Sequence, residues 1–382
     1  MATALFCACN SWANYARVGS HHLAEELARR GWKVVFISDP VSPLRALKGL
    51  NDELRGRFRL YVSGGTYVRE NIWTWVPATL FNPSDYFFLR SHFVSKNWPS
   101  LCVPSLTTKL ATNGFTHFDL IYVDSLSQAY WWRRLSHTKS VFRLADNPAG
   151  FDRYTKAQET ALHDIARHVD ILFYTATDLH ELATELDPKK KCYLSNGVNY
   201  SHFVAPVAPP PEYAPNGRPR IVYVGMIDTW FDFDLLAYVS DRLADHDFFL
   251  IGPHPSPHLQ GRSNVFQLGP RPYAELPAYL QHAHAGIIPF DVDSHPELVH
   301  AINPLKLYEY MAAGLPVVCR RWATVEALQS PAFLADTPED FISALTSIPP
   351  VPHQPSREYA RQMSWEDRVD TLLSACQLQD IR

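Results

Sequence analysis

The sequence predicts an α/β protein made of two doubly wound domains, and three observations carry that expectation. Its 382 residues exceed what a single hydrophobic core usually serves. Short apolar runs alternate with helical periods along nearly the whole chain, the pattern of a parallel sheet covered on both faces. A proline-dense stretch at 205–219, containing Pro209-Pro210-Pro211, breaks the alternation, which then restarts. The expected organisation is an N-terminal domain over 1–204, a stiff linker over 205–219, a C-terminal domain over 220–363 and a terminal helix over 364–382. A hydrophobic share of 46% against 19% charged residues suits a well-packed globular chain rather than a disordered one.

In the first domain, 4–9 reads as a buried strand, 20–30 as a helix with Leu23 and Leu27 inward, and 33–38 as the next strand. Weaker strands are expected at 59–62 and 72–76. Apolar strands follow at 119–123, 139–144, 170–175 and 192–195, with helical periods at 152–168 and 177–186. After the linker come a strand at 220–224, a helix at 234–243, strands at 248–251 and 264–268, a helix at 273–283 and a strand at 286–289. The last segment, 364–378, is helical with Trp365, Val369, Leu372 and Leu373 apolar.

The run from Asn303 to Val318 is chemically the most informative. It reads as a loop, a helix opening near Pro304, a stop at Gly314 and a buried strand from Pro316. Lys306 and Glu309 are three residues apart and share a helix face. A helix N-terminus carrying a lysine suits a diphosphate, because free N–H groups and a fixed cation face one anion. A carboxylate one turn deeper can accept hydrogen bonds from the vicinal hydroxyls of a ribose. An ordinary Lys/Glu pair on a solvated helix is the competing reading. Position favours the ligand site, since doubly wound folds bind ligands at the carboxyl ends of their strands.

The string Lys306-Leu307-Tyr308-Glu309-Tyr310-Met311-Ala312-Ala313-Gly314-Leu315-Pro316-Val317-Val318 resembles the nucleotide-sugar-binding helix of glycosyltransferases with the GT-B fold. The resemblance implies two Rossmann-like domains facing each other across a cleft, with the terminal helix crossing back onto the first. It also implies a lysine on the donor diphosphate and an acidic or amide residue on the ribose. Retaining relatives carry a second Glu eight residues before the one at 309; here that position is Ala301, and Glu297 is at the wrong spacing.

A closer resemblance is to the xanthan-type, membrane-associated β-glucuronosyltransferases. It runs through Lys139-Ser140-Val141-Phe142-Arg143-Leu144-Ala145-Asp146, Asn196-Gly197-Val198, Val224-Gly225-Met226 and Ile287-Ile288-Pro289-Phe290. It implies Asp146 as catalytic base, Gly225, Met226 and Phe290 beside the donor, and Leu305, Lys306 and Leu307 on the diphosphate-contacting turn. Glu309 stands where that relative has an amide. Asp146 closes an apolar strand, where partial burial would raise its pKa and suit it to take a proton from an acceptor hydroxyl. Pairing with Arg143 or capping the next segment is the competing reading, and Asp124, ending the 119–123 strand, is a rival base. His21 and His22 open the first helix and are candidates for acceptor contact, or are surface or capping histidines. Arg271, in the turn after Leu268-Gly269-Pro270, is a further candidate for the donor. The lysine and helix terminus can neutralise a leaving diphosphate, so no metal or other cofactor is expected.

The net charge of −4 is unevenly spread. Residues 1–60 carry nine Lys/Arg (Arg17, Arg29, Arg30, Lys33, Arg45, Lys48, Arg55, Arg57 and Arg59) against five acids. Aromatics abound nearby: Trp73, Trp75, Phe81, Tyr86, Phe87, Phe88, Phe93, Trp98, Trp131 and Trp132. Basic residues beside aromatics suit an anionic membrane surface, unless the aromatics are core. No nucleic-acid-binding motif accompanies them. The six cysteines show no metal-ligand spacing, and no signal peptide or membrane-length apolar run occurs, so a reduced cytoplasmic setting is expected.

These features imply a cytoplasmic-face, inverting glycosyltransferase, peripheral on the inner face of the plasma membrane. It would move a sugar, glucuronic acid by resemblance, from a UDP-sugar to a lipid-linked oligosaccharide or other glycan in polysaccharide biosynthesis. A nucleotide-sugar epimerase on the same fold and a non-catalytic nucleotide-sugar-binding partner are the alternatives, since function lives in the site rather than the fold.

Overall fold

The structure, a computed structural model, describes residues 1–46, 52–81, 89–151, 154–213 and 215–379. The chain divides into two compact units, Met1–Ser195 with Glu366–Arg382, and Asn196–Trp365.

The first unit is built on β1 (Thr3–Ala8), β2 (Lys33–Ser38), β3 (Thr66–Arg69), β4 (Ile72–Trp75), β5 (His117–Val123), β6 (Ser136–Leu144), β7 (Ile171–Tyr174) and β8 (Lys191–Tyr193). They form one sheet in the order β3-β4-β2-β1-β5-β6-β7-β8, parallel except for the β3–β4 pair. The central strands are apolar along their length because helices cover both faces; Ala4 to Ala8 are wholly buried. The order reverses between β1 and β5, so the loops after these strands open side by side.

The Gly19–Arg29 helix follows β1 and buries Leu23 and Leu27. Its C-cap, Arg30, is buried and donates from Nε to Glu26 Oε1 at 2.7 Å and from Nη2 to the Glu366 carbonyl at 2.8 Å. It also pairs with Asp370, so the Trp365–Cys376 helix is tied into this unit. The segment expected as a strand at 59–62 is instead the last turn of the Asp52–Val62 helix. Leu60-Tyr61-Val62 is a short apolar run that reads as a strand or a helix from periodicity alone. The helix wins because Asp52 and Glu53 suit its first turn and Glu53 pairs with Arg57 one turn on, at 3.2 Å.

Of the aromatics considered for a membrane surface, Trp73, Trp75, Trp98, Trp131 and Trp132 are core residues. Phe81 and Phe93 are exposed, and Tyr86, Phe87 and Phe88 lie outside the described residues. Several of the basic residues are engaged with acids: Arg29 with Glu26, Arg30 with Glu26 and Asp370, Arg57 with Glu53.

The second unit is a six-stranded parallel sheet of β9 (Arg220–Val224), β10 (Asp247–Ile251), β11 (Val265–Gln267), β12 (Ala285–Ile288), β13 (Val317–Arg320) and β14 (Phe333–Ala335). Its order, β11-β10-β9-β12-β13-β14, is the 3-2-1-4-5-6 arrangement of a mononucleotide-binding doubly wound sheet, with the reversal between β9 and β12. The Leu305–Ala312 helix packs close to the sheet because Gly286 leaves room: a Cβ there would lie 2.3 Å from the Tyr310 ring. The 273–283 segment is a short 3₁₀ turn, Tyr273–Glu275, followed by the Leu276–Gln281 helix, since Pro277 fits only a first turn.

Residues 205–219 fall within the second unit. Gln281 Nε2 donates to the carbonyls of Phe203 and Ala205, both at 2.7 Å. Tyr213 is buried and donates to the Tyr279 carbonyl at 3.0 Å.

Candidate functional site

In the second unit, three elements converge where the strand order reverses. β9 runs into Gly225 and Met226, β12 runs into Phe290, and the Leu305–Ala312 helix presents Lys306 from its first turn. Pro304 occupies the N-cap, and no side chain caps the helix. The Lys306 ammonium sits 4.6 Å from the Phe290 ring centroid and 4.9 Å from that of Tyr223. Among the described residues it makes no hydrogen bond or ion pair, so two aromatic faces are its cation-binding surroundings. Gly225, at φ +145°, is needed here: a Cβ would lie 2.8 Å from Lys306 Cε and 3.0 Å from Nζ.

Glu309, one turn on, is buried. Burial pushes its carboxyl up to about 7, with Lys306 and the Tyr273 hydroxyl opposing. Burial likewise pulls the Lys306 ammonium down to about 8, with Glu309 opposing. Each group is costly to charge alone, and an anion beside Lys306 would hold the ammonium charged.

The remaining donor-side residues divide. Met226 is exposed, and its carbonyl accepts from the Tyr223 hydroxyl. Leu305 is half-buried and contributes backbone to the first turn, whereas Leu307 is a core residue. Phe290 lies between Lys306 and Trp322, stacked on the latter at 5.7 Å, so it supports the lysine and presents little free face to a nucleobase. Arg271 is held by Glu212 at 2.8 Å, the Tyr279 hydroxyl at 3.0 Å and the Leu268 carbonyl at 2.7 Å. Its guanidinium fastens the 205–219 segment instead of standing ready for a donor.

In the first unit, Asp39, Asp124 and Asp146 follow β2, β5 and β6, at the carboxyl ends of the strands. Asp124 accepts from Cys9 N–H at 3.1 Å. Burial pushes its carboxyl up to about 6, against the lowering effects of Arg143, the Ser20 hydroxyl and that N–H. Asp146 is raised by burial with Arg143 opposing, and among the described residues it makes no hydrogen bond. Its lone pairs are therefore available, while those of Asp124 are partly committed. Asp39 accepts from Ser125 Oγ at 2.6 Å, from Ser127 and from Gln128 Nε2 at 3.2 Å, so it holds the loop after β5.

Asp39 went unread in the sequence, and Arg143 enters there only as a partner of Asp146, although it tunes both candidate bases. Its guanidinium lies against Gly19, where a Cβ would be 2.6 Å from Nη1. The signal for Arg143 was a lone cation in a buried strand.

His21 and His22 are both buried and do not offer themselves to an acceptor. His21 Nδ1 accepts from Val18 N–H at 3.3 Å, the returning half of a capping box, and its Nε2–H donates to the Ser11 carbonyl at 3.2 Å. Burial pulls its pKa down to about 4, so the ring stays neutral against Phe36 and Trp12. The expectation of metal independence passes over two Asp-x-Asp strings, at 232–234 and 291–293. Asp232 caps a helix through Leu235 N–H, Asp291 accepts from Ser294 N–H and Asp293 pairs with Arg320. Among the described residues no group of three acid, histidine or cysteine side chains could hold a metal.

Comparison with known proteins agrees with the fold. Residues 6–175 match the family model described as glucuronosyltransferase GumK, N-terminal domain, and residues 218–348 match that of glycosyl transferases group 1. The chain has the GT-B fold and resembles GumK. A putative teichuronic acid biosynthesis glycosyltransferase, TuaH of Bacillus subtilis, is 30% identical over 167 residues. That alignment covers 41% of this chain and 41% of TuaH, about two fifths of the curated relative's length. Among solved structures, sucrose-phosphate synthase from Thermosynechococcus elongatus superposes with a TM-score of 0.69 at 15% identity, covering 98% of both chains. Anabaena HepE, in complex with UDP and glucose, superposes with a TM-score of 0.65 at 10% identity, covering 99% of this chain and all of that one. At such identities the structural neighbours establish the fold alone.

Proposed function

We propose that the chain is an inverting glycosyltransferase that moves a sugar from a UDP-sugar to a glycan acceptor in polysaccharide biosynthesis. The observation that carries this is the Lys306 ammonium, unpaired at an uncapped helix terminus, with Glu309 one turn deeper. A diphosphate supplies the anion the lysine lacks, and a ribose offers hydroxyls to Glu309. The resemblance to GumK, to TuaH and to HepE, which binds UDP, supports the same reading. In this mechanism Asp146 takes the acceptor hydroxyl's proton as that oxygen bonds to the anomeric carbon. The bond from that carbon to the diphosphate breaks, its electrons pass to the leaving phosphate, and Lys306 with the helix N–H groups stabilises the charge. No metal is required for that step.

Glucuronic acid as the transferred sugar and a lipid-linked oligosaccharide as acceptor belong to the same proposal. So does peripheral attachment at the cytoplasmic face; among the described residues no helix is long and apolar enough to cross a membrane. Support for attachment comes from exposed Phe93 and Val103 on the first unit, and flotation that fails with anionic vesicles at low salt would remove it. The reaction is tested by incubating the protein with UDP-glucuronate or UDP-glucose, with and without a lipid-linked glycan fraction. Acceptor-dependent release of UDP is expected. Conversion of the sugar without any acceptor would mean an epimerase, and binding without turnover would mean a non-catalytic partner.

A further inference from the structure

The second unit contains a separate cavity of about 510 Å³ at the opposite edge of its sheet, where β12 and β13 begin. Its walls include Val207, Gln281, His282, His284, Pro352 and Arg357. The polar groups there differ in how far they are already committed. Gln281 is spent on the carbonyls of Phe203 and Ala205, and His282 Nε2 donates to the Val207 carbonyl at 2.8 Å. His284 Nδ1 accepts from Arg220 N–H at 2.9 Å. Burial, Arg220 and His246 all disfavour its protonation. The neutral ring then carries its proton on Nε2, a donor with no partner among the described residues.

Arg357 is the stronger case. Among the described residues its side chain has no hydrogen bond or ion pair, and its Nε is buried without an acceptor. The guanidinium lies along the backbone of Gly314, where a Cβ would come within 2.7 Å of Nε. No acid lines the cavity, and Arg220 adds positive charge behind it through its contact with the His282 carbonyl at 3.2 Å. A buried guanidinium N–H left without an acceptor is unfavourable, and the Arg357 guanidinium and the exposed His284 line one cavity, so both can donate to oxygens of one anion.

We propose that this cavity is a second small-molecule site, taking the carboxylate or phosphate group of a small metabolite on Arg357 and His284 Nε2, with the apolar remainder against Val207 and Pro352. It is independent of the donor site.

The test is thermal shift and calorimetry with inorganic phosphate and with acetate, at ionic strength held constant with sodium chloride. The proteins are wild type, Lys306→Ala, Arg357→Gln and Arg357→Lys. At least one anion should stabilise wild type and Lys306→Ala alike, and the one that does separates a phosphate from a carboxylate ligand. Arg357→Gln should weaken that binding at least about tenfold, and Arg357→Lys should fall between. UDP affinity unchanged in Arg357→Gln shows that the variant is folded. The proposal is overturned if neither anion stabilises wild type beyond chloride, if Arg357→Gln responds like wild type, or if Lys306→Ala abolishes the response.

Discussion

Affinity for UDP should fall with rising pH in a window set by Lys306. Burial holds its ammonium at about 8, more than two units below an ordinary lysine. A diphosphate binds the protonated form, so affinity tracks the fraction charged: nearly all at pH 7, half at pH 8 and roughly a tenth at pH 9. UDP binding should therefore weaken about tenfold between pH 7 and pH 9, or about 1.4 kcal/mol. Below pH 7 the opposite limb appears, because Glu309, raised to about 7, is protonated and accepts fewer hydrogen bonds from the ribose. Calorimetry from pH 6 to pH 9.5 in buffers of equal ionization enthalpy reads both limbs. Lys306→Arg, which stays charged throughout, should flatten the alkaline limb. An affinity constant from pH 7 to pH 9.5 in the wild type would refute the reasoning, because an exposed lysine would behave that way.

Three further outcomes follow from the geometry. Gly225→Ala puts a Cβ 2.8 Å from Lys306 Cε at a backbone angle that L residues avoid, and calorimetry should show UDP affinity reduced about tenfold or more; wild-type affinity would mean the lysine is not seated there. Asp146→Asn should lower turnover by about 10² to 10⁴ with donor affinity nearly constant, and Asp124→Asn much less. The opposite ranking in steady-state kinetics would move the base to Asp124. Arg30→Met removes the buried one of the two guanidinium groups on Glu26 and leaves only the more exposed Arg29, so urea unfolding should show a loss of about 1.5–3 kcal/mol, and a change under 1 kcal/mol would show that Arg29 and solvent compensate.

What the sequence made legible was what local spacing determines. The 33–38 and 220–224 strands are continuous apolar runs between turn residues, and they appear in the structure at those bounds. Lys306 and Glu309 could be found because an i, i+3 pair after a proline needs no tertiary information to share a helix face. Phe290, Tyr223 and Gly225 gather around the lysine only when β9 and β12 become neighbours, and no local pattern states that pairing. His21 looked like a polar residue at a loop edge, yet the ring is fixed by Ser11 and Val18 and buried against Phe36. The tryptophans of the first unit looked like a membrane surface because composition does not say which face of a strand an aromatic takes. Asp39 escaped notice for a related reason: the groups that donate to it, on Ser125 and Gln128, lie more than eighty residues away.

The central claim is that the Lys306 helix terminus holds the diphosphate of a nucleotide sugar. Titration of UDP into wild type and Lys306→Ala at pH 7 tests it most directly. The wild type should bind, and the variant should lose about 1.5–3 kcal/mol, roughly ten- to hundredfold in affinity. Equal affinity in the two proteins, or no binding of UDP by the folded wild type, would contradict the claim.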